Sequence, residues 1–334
     1  MPPITSPTKP PTQPRTQPTQ GAAAWVRRDI ALDRVTVTAS VEVRDEFLRL
    51  VAHLRRHPLP LVALDPADYD LAATARAAAQ IRSLLSDGPR FCLFDRLPVE
   101  EMTAEEAKAC YWLLASLICR PVAQKLDGTM IYDVQDTGLK ADPGSGVRPD
   151  KTNIDLTFHN DNAYNARMPE VVGLLCLRTA RSGGRSRVMS FETAHNALIE
   201  RAPHTLPRLY EPFWFDRQRE HWSDEDPTFA APVFVEADGE VKARLGLHQV
   251  RNAYVLRGEE LDADGQAAIA ALESVFADPD LQFDFAMEPG QAQFVDNLAI
   301  GHSRTQFEDF EEPERRRHLV RLWLRNAGDR SYPG

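Results

Sequence analysis

An α+β domain, a β-barrel or sandwich with helices packed on its outside, is the architecture that the 334-residue sequence predicts. Three observations predict it. Apolar residues recur at helical spacing through the first third of the chain. From about Lys125 onward the texture changes to short strands with Gly, Pro and Asp between them. No internal repeat divides the sequence. A hydrophobic content of 43% and a charged content of 26% suffice to bury a substantial core.

Residues 1–24 are expected to be a disordered tail preceding one domain over 25–330. Residues 1–20 are dense in Pro, Thr and Gln, and beyond Met1 and the prolines only Ile4 is apolar, so burial cannot offset the entropy of ordering them. Helical spacing over 45–56, carried by Phe47, Leu50, Val51 and Leu54, is ended by Pro58. An alanine-rich helix over 69–85 is stopped by Asp87-Gly88-Pro89, and 91–94 reads as a short buried strand. Thr103-Ala104-Glu105-Glu106 has the form of a capping box, opening a helix that runs to about Cys119. Strands are predicted over 130–134, 155–158, 171–177 and 187–190, followed by a helical insertion over 192–209. Strands 232–236 and 242–247 meet at Asp238-Gly239, a hairpin turn. A second helical insertion covers 261–276, and strands 292–295 and 318–324 complete the chain.

The net charge of −10 argues against nucleic acid as an obligatory partner, because phosphate binding wants a basic stripe. No stretch has the length of a membrane span, and the N-terminus lacks the apolar core of a signal peptide. Cys92, Cys110, Cys119 and Cys176 show no paired spacing and sit among apolar neighbours. They read as buried thiols of a cytoplasmic protein. Homo-oligomerisation stays open.

The chemistry is concentrated in Leu156-Thr157-Phe158-His159-Asn160-Asp161 and in a distant His302. Residues two apart on a strand share a face, so His159 and Asp161 can grip one metal ion from one side. Alone, the pair reads first as a surface hydrogen-bonded couple. With His302 it becomes two histidines and one carboxylate with open coordination positions, the pattern of a non-haem Fe(II) oxygenase. On the closing strand, alternation puts Arg317, Leu319, Arg321, Trp323 and Arg325 on one face. Such arginines are either an exposed edge or, if buried, a demand for anions, which a dicarboxylate meets through planar guanidinium forks.

Several stretches together resemble the Fe(II)- and 2-oxoglutarate-dependent dioxygenases of the taurine dioxygenase (TauD/TfdA, clavaminate-synthase-like) superfamily. Phe158-His159-Asn160-Asp161-Asn162 is similar to its Phe-His-Thr-Asp-Asn segment, with Asn160 in place of the commoner Thr. Arg181-Ser182-Gly183-Gly184-Arg185-Ser186 resembles its Gly-Gly-Xaa-Ser/Thr turn. His302-Ser303-Arg304-Thr305-Gln306-Phe307 resembles its His-Xaa-Arg-Thr-Xaa-Phe block, and the strand from Arg317 its closing strand. The likeness runs from about Gly88 to Asn326.

The resemblance implies a double-stranded β-helix, or jelly-roll, core with flanking helices and a lid insertion, to which Trp214, Trp222, Arg217 and Arg219 are assigned. It implies His159, Asp161 and His302 as metal ligands, with Fe(II), 2-oxoglutarate and O2 as the reacting set. Arg317 would bind the distal carboxylate of 2-oxoglutarate, helped by Ser186, with Arg321 as the competing anchor or a neighbour of the substrate. Asp155, Asn162, Tyr164, Tyr132 and Arg321 would frame a small-molecule substrate, and Asp155 could meet a cationic amine. Because Asp161 keeps the carboxylate that related halogenases lack, hydroxylation, desaturation or cyclisation is expected rather than halogenation. No histidine lies between His57 and His159 to match the early histidine of taurine dioxygenases, so a sulfonate substrate is not expected. Two other readings stay open at this point. They are a non-catalytic jelly-roll binding protein, and a cupin-like metal-dependent isomerase or hydrolase with no use for the arginine strand.

Overall fold

The computed structural model describes residues 14–140 and 148–334. Two sheets organise the chain. The large one runs Thr36–Thr38, Phe91–Asp95, Ala292–Asp296, Val171–Arg178, His318–Arg325 and Arg120–Val122, with Tyr132–Val134 also paired to His318–Arg325. The small one runs Phe283–Phe285, Ser186–Ser190, Ile300–Arg304 and Leu156–His159. Only Thr36–Thr38 beside Phe91–Asp95 is parallel in these sheets.

The alternation read from the closing strand decides which side each residue serves. Val320, Leu322 and Leu324 are buried in an apolar cluster with Phe47, Ile81 and Leu113, which come from three helices on the outer face of the large sheet. Trp323 belongs to the other cluster, inside. The three helices are Val41–Leu54, Ala72–Ser86 and Ala104–Ile118. The last has the anticipated capping box: Glu106 N donates to Thr103 Oγ1 and Thr103 N to Glu106 Oε2. Such a cap contributes about 1 kcal/mol. Helix and sheet approach closely at Gly173, where an added Cβ would stand 2.3 Å from the Tyr111 hydroxyl. Against the small sheet pack the helices Phe191–Arg201 and Ala263–Phe276, which also contact each other.

The structure departs from the sequence expectations in several places. The tail predicted over 1–24 is pinned from its fifteenth residue: Arg15 pairs with buried Glu192 and with Glu236, both at 3.1 Å, and Thr19 N donates to Asn196 Oδ1 at 2.8 Å. These are polar attachments that a tally of apolar residues does not register; residues 1–13 lie outside the described residues. The insertion predicted over 192–209 is broken after Arg201, consistent with Pro203 and Pro207 interrupting the helix. The strand predicted over 242–247 stops at Ala243, and Leu247–Arg257 is an unforeseen helix. Pro212–Asp216 and Thr228–Pro232 form an unforeseen antiparallel pair, while Phe234–Ala237 and Glu240–Ala243 make the expected hairpin at Asp238-Gly239. All four cysteines are free and buried, and no helix among the described residues is long and apolar enough to cross a membrane.

Candidate metal centre and its two cavities

His159 ends Leu156–His159 and pairs directly with His302 of Ile300–Arg304. Antiparallel register alone therefore brings the two imidazoles to a centroid separation of 4.5 Å. The turn that delivers Asp161 is held by carboxamides. Asn160 Oδ1 accepts from Leu245 N at 2.7 Å, Asp161 N donates to Asn297 Oδ1 at 2.9 Å, and Asn297 Nδ2 donates back to Asp161 O at 3.0 Å. Asn160 thus has a scaffolding task of its own. Asp161 Oδ1 lies 3.8 Å from His159 Nε2 and 3.6 Å from His302 Nε2. Among the described residues no other histidine, cysteine or carboxylate group of three converges within 4.8 Å in this way.

The surroundings set the protonation and direction of these groups. His159 Nδ1 lies 2.9 Å from the Thr157 carbonyl, which can only accept, so the proton sits on Nδ1 and the Nε2 lone pair faces Asp161. Burial pushes the His159 imidazolium down to about 4, with His302 adding to the effect, so the ring is neutral at pH 7. Burial alone would raise the Asp161 carboxyl, but Arg321 and then His302 outweigh it and hold it well below the usual carboxylate range. The second oxygen, Oδ2, accepts from Trp323 Nε1 at 2.6 Å and lies 3.3 Å from Arg321 Nη1. Oδ1 faces the two histidines, with Arg321 Nη1 also 3.5 Å from it.

The two arginines in question differ sharply. Arg321 Nε donates to Gln124 Oε1 at 2.9 Å, its Nη1 pairs with Asp150 at 2.8 Å and Asp161 at 3.3 Å, and its guanidinium lies 4.7 Å from the Tyr132 ring centroid. Burial opposes its charge, yet Asp161 and Asp150 raise its pKa above the ordinary value. Arg317 is equally buried but enters no ion pair among the described residues, and its Nη1 has no hydrogen-bond partner. Burial lowers it to about 10, which leaves it charged at pH 7. The side chain is cradled by Gly184, at φ 67°, where a Cβ would stand 3.2 Å from Arg317 Nε.

Arg317 lines a cavity of about 160 Å³ that also contains His159, Asp161 and His302. Its walls include Val134, Leu156, Leu174 and Leu319. Ser186 lines it too, but the hydroxyl already donates to Gln293 Oε1. Arg304 stands across the strand pair from Ser186 in the same cavity. Burial, then the facing Arg317, lowers its pKa to about 9.

A larger cavity of about 820 Å³ shares His159, Asp161, Asp150 and Arg321 with the smaller one and is also lined by Trp323. Asn162, Tyr164 and Asp155 are among its lining residues. Asn162 Nδ2 is buried without a partner among the described residues, while its Oδ1 accepts from Tyr332. Asp155 stands at the rim, with 52% of its side chain exposed, and is already paired with Arg187 at 2.6 Å. The half-buried acid Asp150 lines both cavities, and its Oδ1 has no hydrogen-bond partner among the described residues. Tyr132 lines neither cavity and is instead a platform under Arg321 and Lys151. The lid expectation needs the same correction. Gln218 and the Gly246–Arg251 region border the space, whereas Trp214 and Trp222 do not, and Trp222 is 58% exposed.

Sequence reasoning missed Asp150, Gln124, Arg148 and Trp323 as contributors. Arg148 spans the cavity wall through a buried ion pair with Glu220 at 2.8 Å and lies over the Trp323 ring. For Trp323 the signal existed, since strand alternation already placed it beside Arg321. The others come from loops with no local pattern.

Two histidines and one carboxylate in a cavity with a buried guanidinium that enters no ion pair among the described residues have the pattern of a non-haem iron oxygenase site. The chain belongs to the taurine catabolism dioxygenase TauD, TfdA family, whose profile matches residues 55–323. It is therefore an oxidoreductase, an Fe(II)/2-oxoglutarate-dependent dioxygenase. FR-33289 synthase of Streptomyces rubellomurinus is 25% identical over 94% of this chain and 92% of its own. In three dimensions, asparagine oxygenase solved with Fe(II), 2S,3S-3-hydroxyasparagine and succinate superposes with a TM-score of 0.64 at 21% identity, covering 88% of this chain and 94% of that one. The non-haem iron oxygenase OrfP, solved with Fe and alpha-ketoglutaric acid, gives 0.62 at 15% identity, covering 87% and 94%.

Proposed function

We propose that this protein couples the oxidative decarboxylation of 2-oxoglutarate to C–H oxidation of a small molecule, an amino acid or natural-product intermediate, on a double-stranded β-helix. The observation that carries this reading is Arg317, a buried cation that enters no ion pair among the described residues, in a cavity shared with the metal-binding triad. An unpaired buried charge is costly, and a carboxylate ligand relieves that cost. The two facing sheets support the β-helix, since Asp161 follows a strand of the small sheet and is hydrogen-bonded by Trp323 of the large one. Four buried free thiols support a cytoplasmic location.

The residues fit the implied group. The Nε2 atoms of His159 and His302 and Oδ1 of Asp161 would hold Fe(II), and Arg317 would hold the distal carboxylate of 2-oxoglutarate. Iron with 2-oxoglutarate supplies O2 activation and C–H oxidation, releasing succinate and CO2. The apolar walls around Arg317 exclude water from the co-substrate and strengthen its ion pair. Lining the larger cavity, Arg321 Nη2, Asp150 Oδ1 and Asn162 Nδ2, which have no hydrogen-bond partner among the described residues, offer two donors and one acceptor near the triad. That set fits a zwitterion, with a carboxylate toward the donors and an ammonium toward Asp150.

Anaerobic protein with Fe(II) and 2-oxoglutarate is expected to develop a weak visible charge-transfer band, and candidate amino acids screened in air should stimulate succinate release. Bound iron without the band would refute the oxygenase reading and favour a cupin-like hydrolase or a binding protein. A second expectation concerns Trp323. Trp323→Phe keeps the ring but loses the N–H that occupies Asp161 Oδ2. Fe(II) affinity should fall by about tenfold or more, as for other partners of metal-bound carboxylates. Equal affinity in a metal titration would remove Trp323 from any role in presenting Oδ1.

A further inference from the structure

Arg304 is the feature that the reading above leaves unused. It lies two residues beyond His302 on the same strand face, so its side chain enters the cavity that holds the triad. It is 6% exposed, enters no ion pair among the described residues, and its Nε is buried without a partner. Its guanidinium and that of Arg317 both lie against Phe307, at 4.6 and 5.1 Å from the ring centroid. One terminal nitrogen, Nη2, donates to the backbone carbonyl of Ile154. Ile154 is part of the wall of the larger cavity, beside Asn153 and Asp155. The same stretch is held once more from this strand region, by Phe307 N donating to Asn153 O at 3.2 Å.

One guanidinium therefore touches both compartments: it lines the smaller cavity and grips the backbone that walls the larger one. We infer that Arg304 is a second cationic arm for the co-substrate dianion and the positioning residue that links co-substrate occupancy to the order of the 152–156 wall. The inference rests on the proposed use of the smaller cavity by 2-oxoglutarate. Two cations there match a ligand of two carboxylates better than one does. A carboxylate drawn against Nε would fix the fork, and a fixed fork holds the Ile154 carbonyl in place. Without the ligand the side chain keeps rotamer freedom around a single acceptor. The substrate wall would then become best ordered only after the co-substrate is in place.

The test uses full-length protein loaded with Mn(II) in the absence of O2, with 2-oxoglutarate as the ligand. Two quantities are read, the 2-oxoglutarate Kd and backbone amide exchange in peptides spanning 150–158. In wild type, 2-oxoglutarate should slow exchange in that segment. Arg304→Gln should bind 2-oxoglutarate about tenfold more weakly and lose the slowing even at saturation. Arg304→Lys, which keeps the charge but not the fork, should bind within about threefold of wild type and still lose the slowing. If Arg304→Gln does not fold, the lysine variant decides alone. Undiminished binding and undiminished slowing in the folded variants overturn the inference while the proposed function stands. Failure of wild type itself to bind 2-oxoglutarate overturns both.

Discussion

His159→Ala should abolish the visible band with Fe(II) and 2-oxoglutarate and lower succinate formation by at least about a thousandfold, ~4 kcal/mol of barrier. The loss of one of three ligands leaves His302 and Asp161, which cannot fix a metal while leaving the same open face. The backbone has little reason to move. His159 is the last residue of its strand, 22% of its side chain is exposed, and the turn after it is held by Asn160 and Asn297 rather than by the imidazole. Far-ultraviolet circular dichroism should therefore match wild type, with metal affinity as the property lost. Folded His159→Ala protein that still develops the band would show that the iron is held elsewhere, and the triad would lose its assignment. A binding protein on the same scaffold would show no 2-oxoglutarate turnover before or after the substitution.

What was legible in the sequence divides by range. Thr103 and Glu106 meet within one helical turn, so the capping box could be read directly. The inward face of His318–Arg325 could be read because strand alternation is local. The strand that carries His302 was harder, since Ile-Gly-His-Ser-Arg has no strand signature of its own. It is a strand because Ser186–Ser190 and Leu156–His159 flank it on both edges. Asp150 and Gln124 became visible only once Arg321 was seen to need counter-ions and acceptors. The resemblance favoured Arg317 as the co-substrate anchor, but strand pattern alone did not separate it from Arg321, for the same reason. Arg317 and Arg321 sit on one face of one strand, and what separates them is the partners that the rest of the fold brings to Arg321 and withholds from Arg317.

That asymmetry yields the second large effect. Arg317→Ala should raise the 2-oxoglutarate Kd by about a hundredfold, ~3 kcal/mol, because a charge-assisted fork in a water-poor cavity is lost. Arg321→Ala should change it much less, since its guanidinium is already engaged by Gln124, Asp150 and Asp161. Thermal stability separates the two more sharply than binding does. In the protein without co-substrate, Arg317 is a buried charge with no ion pair among the described residues, so Arg317→Ala should leave the Tm unchanged or raise it, and should erase the upward shift that 2-oxoglutarate gives wild type. Arg321→Ala strands Asp150 beside Asp161 without the cation between them, a loss of about 3–5 kcal/mol for a buried pair, and should lower the Tm by several degrees. It should also weaken Fe(II) binding, because Arg321 is the foremost group holding Asp161 ionised. A larger rise in 2-oxoglutarate Kd for Arg321→Ala than for Arg317→Ala would exchange their assignments. Opposite signs in Tm, by contrast, would mark Arg317 as a residue kept for its ligand at the expense of the empty fold, and Arg321 as the ion-pair centre on which the metal carboxylate depends.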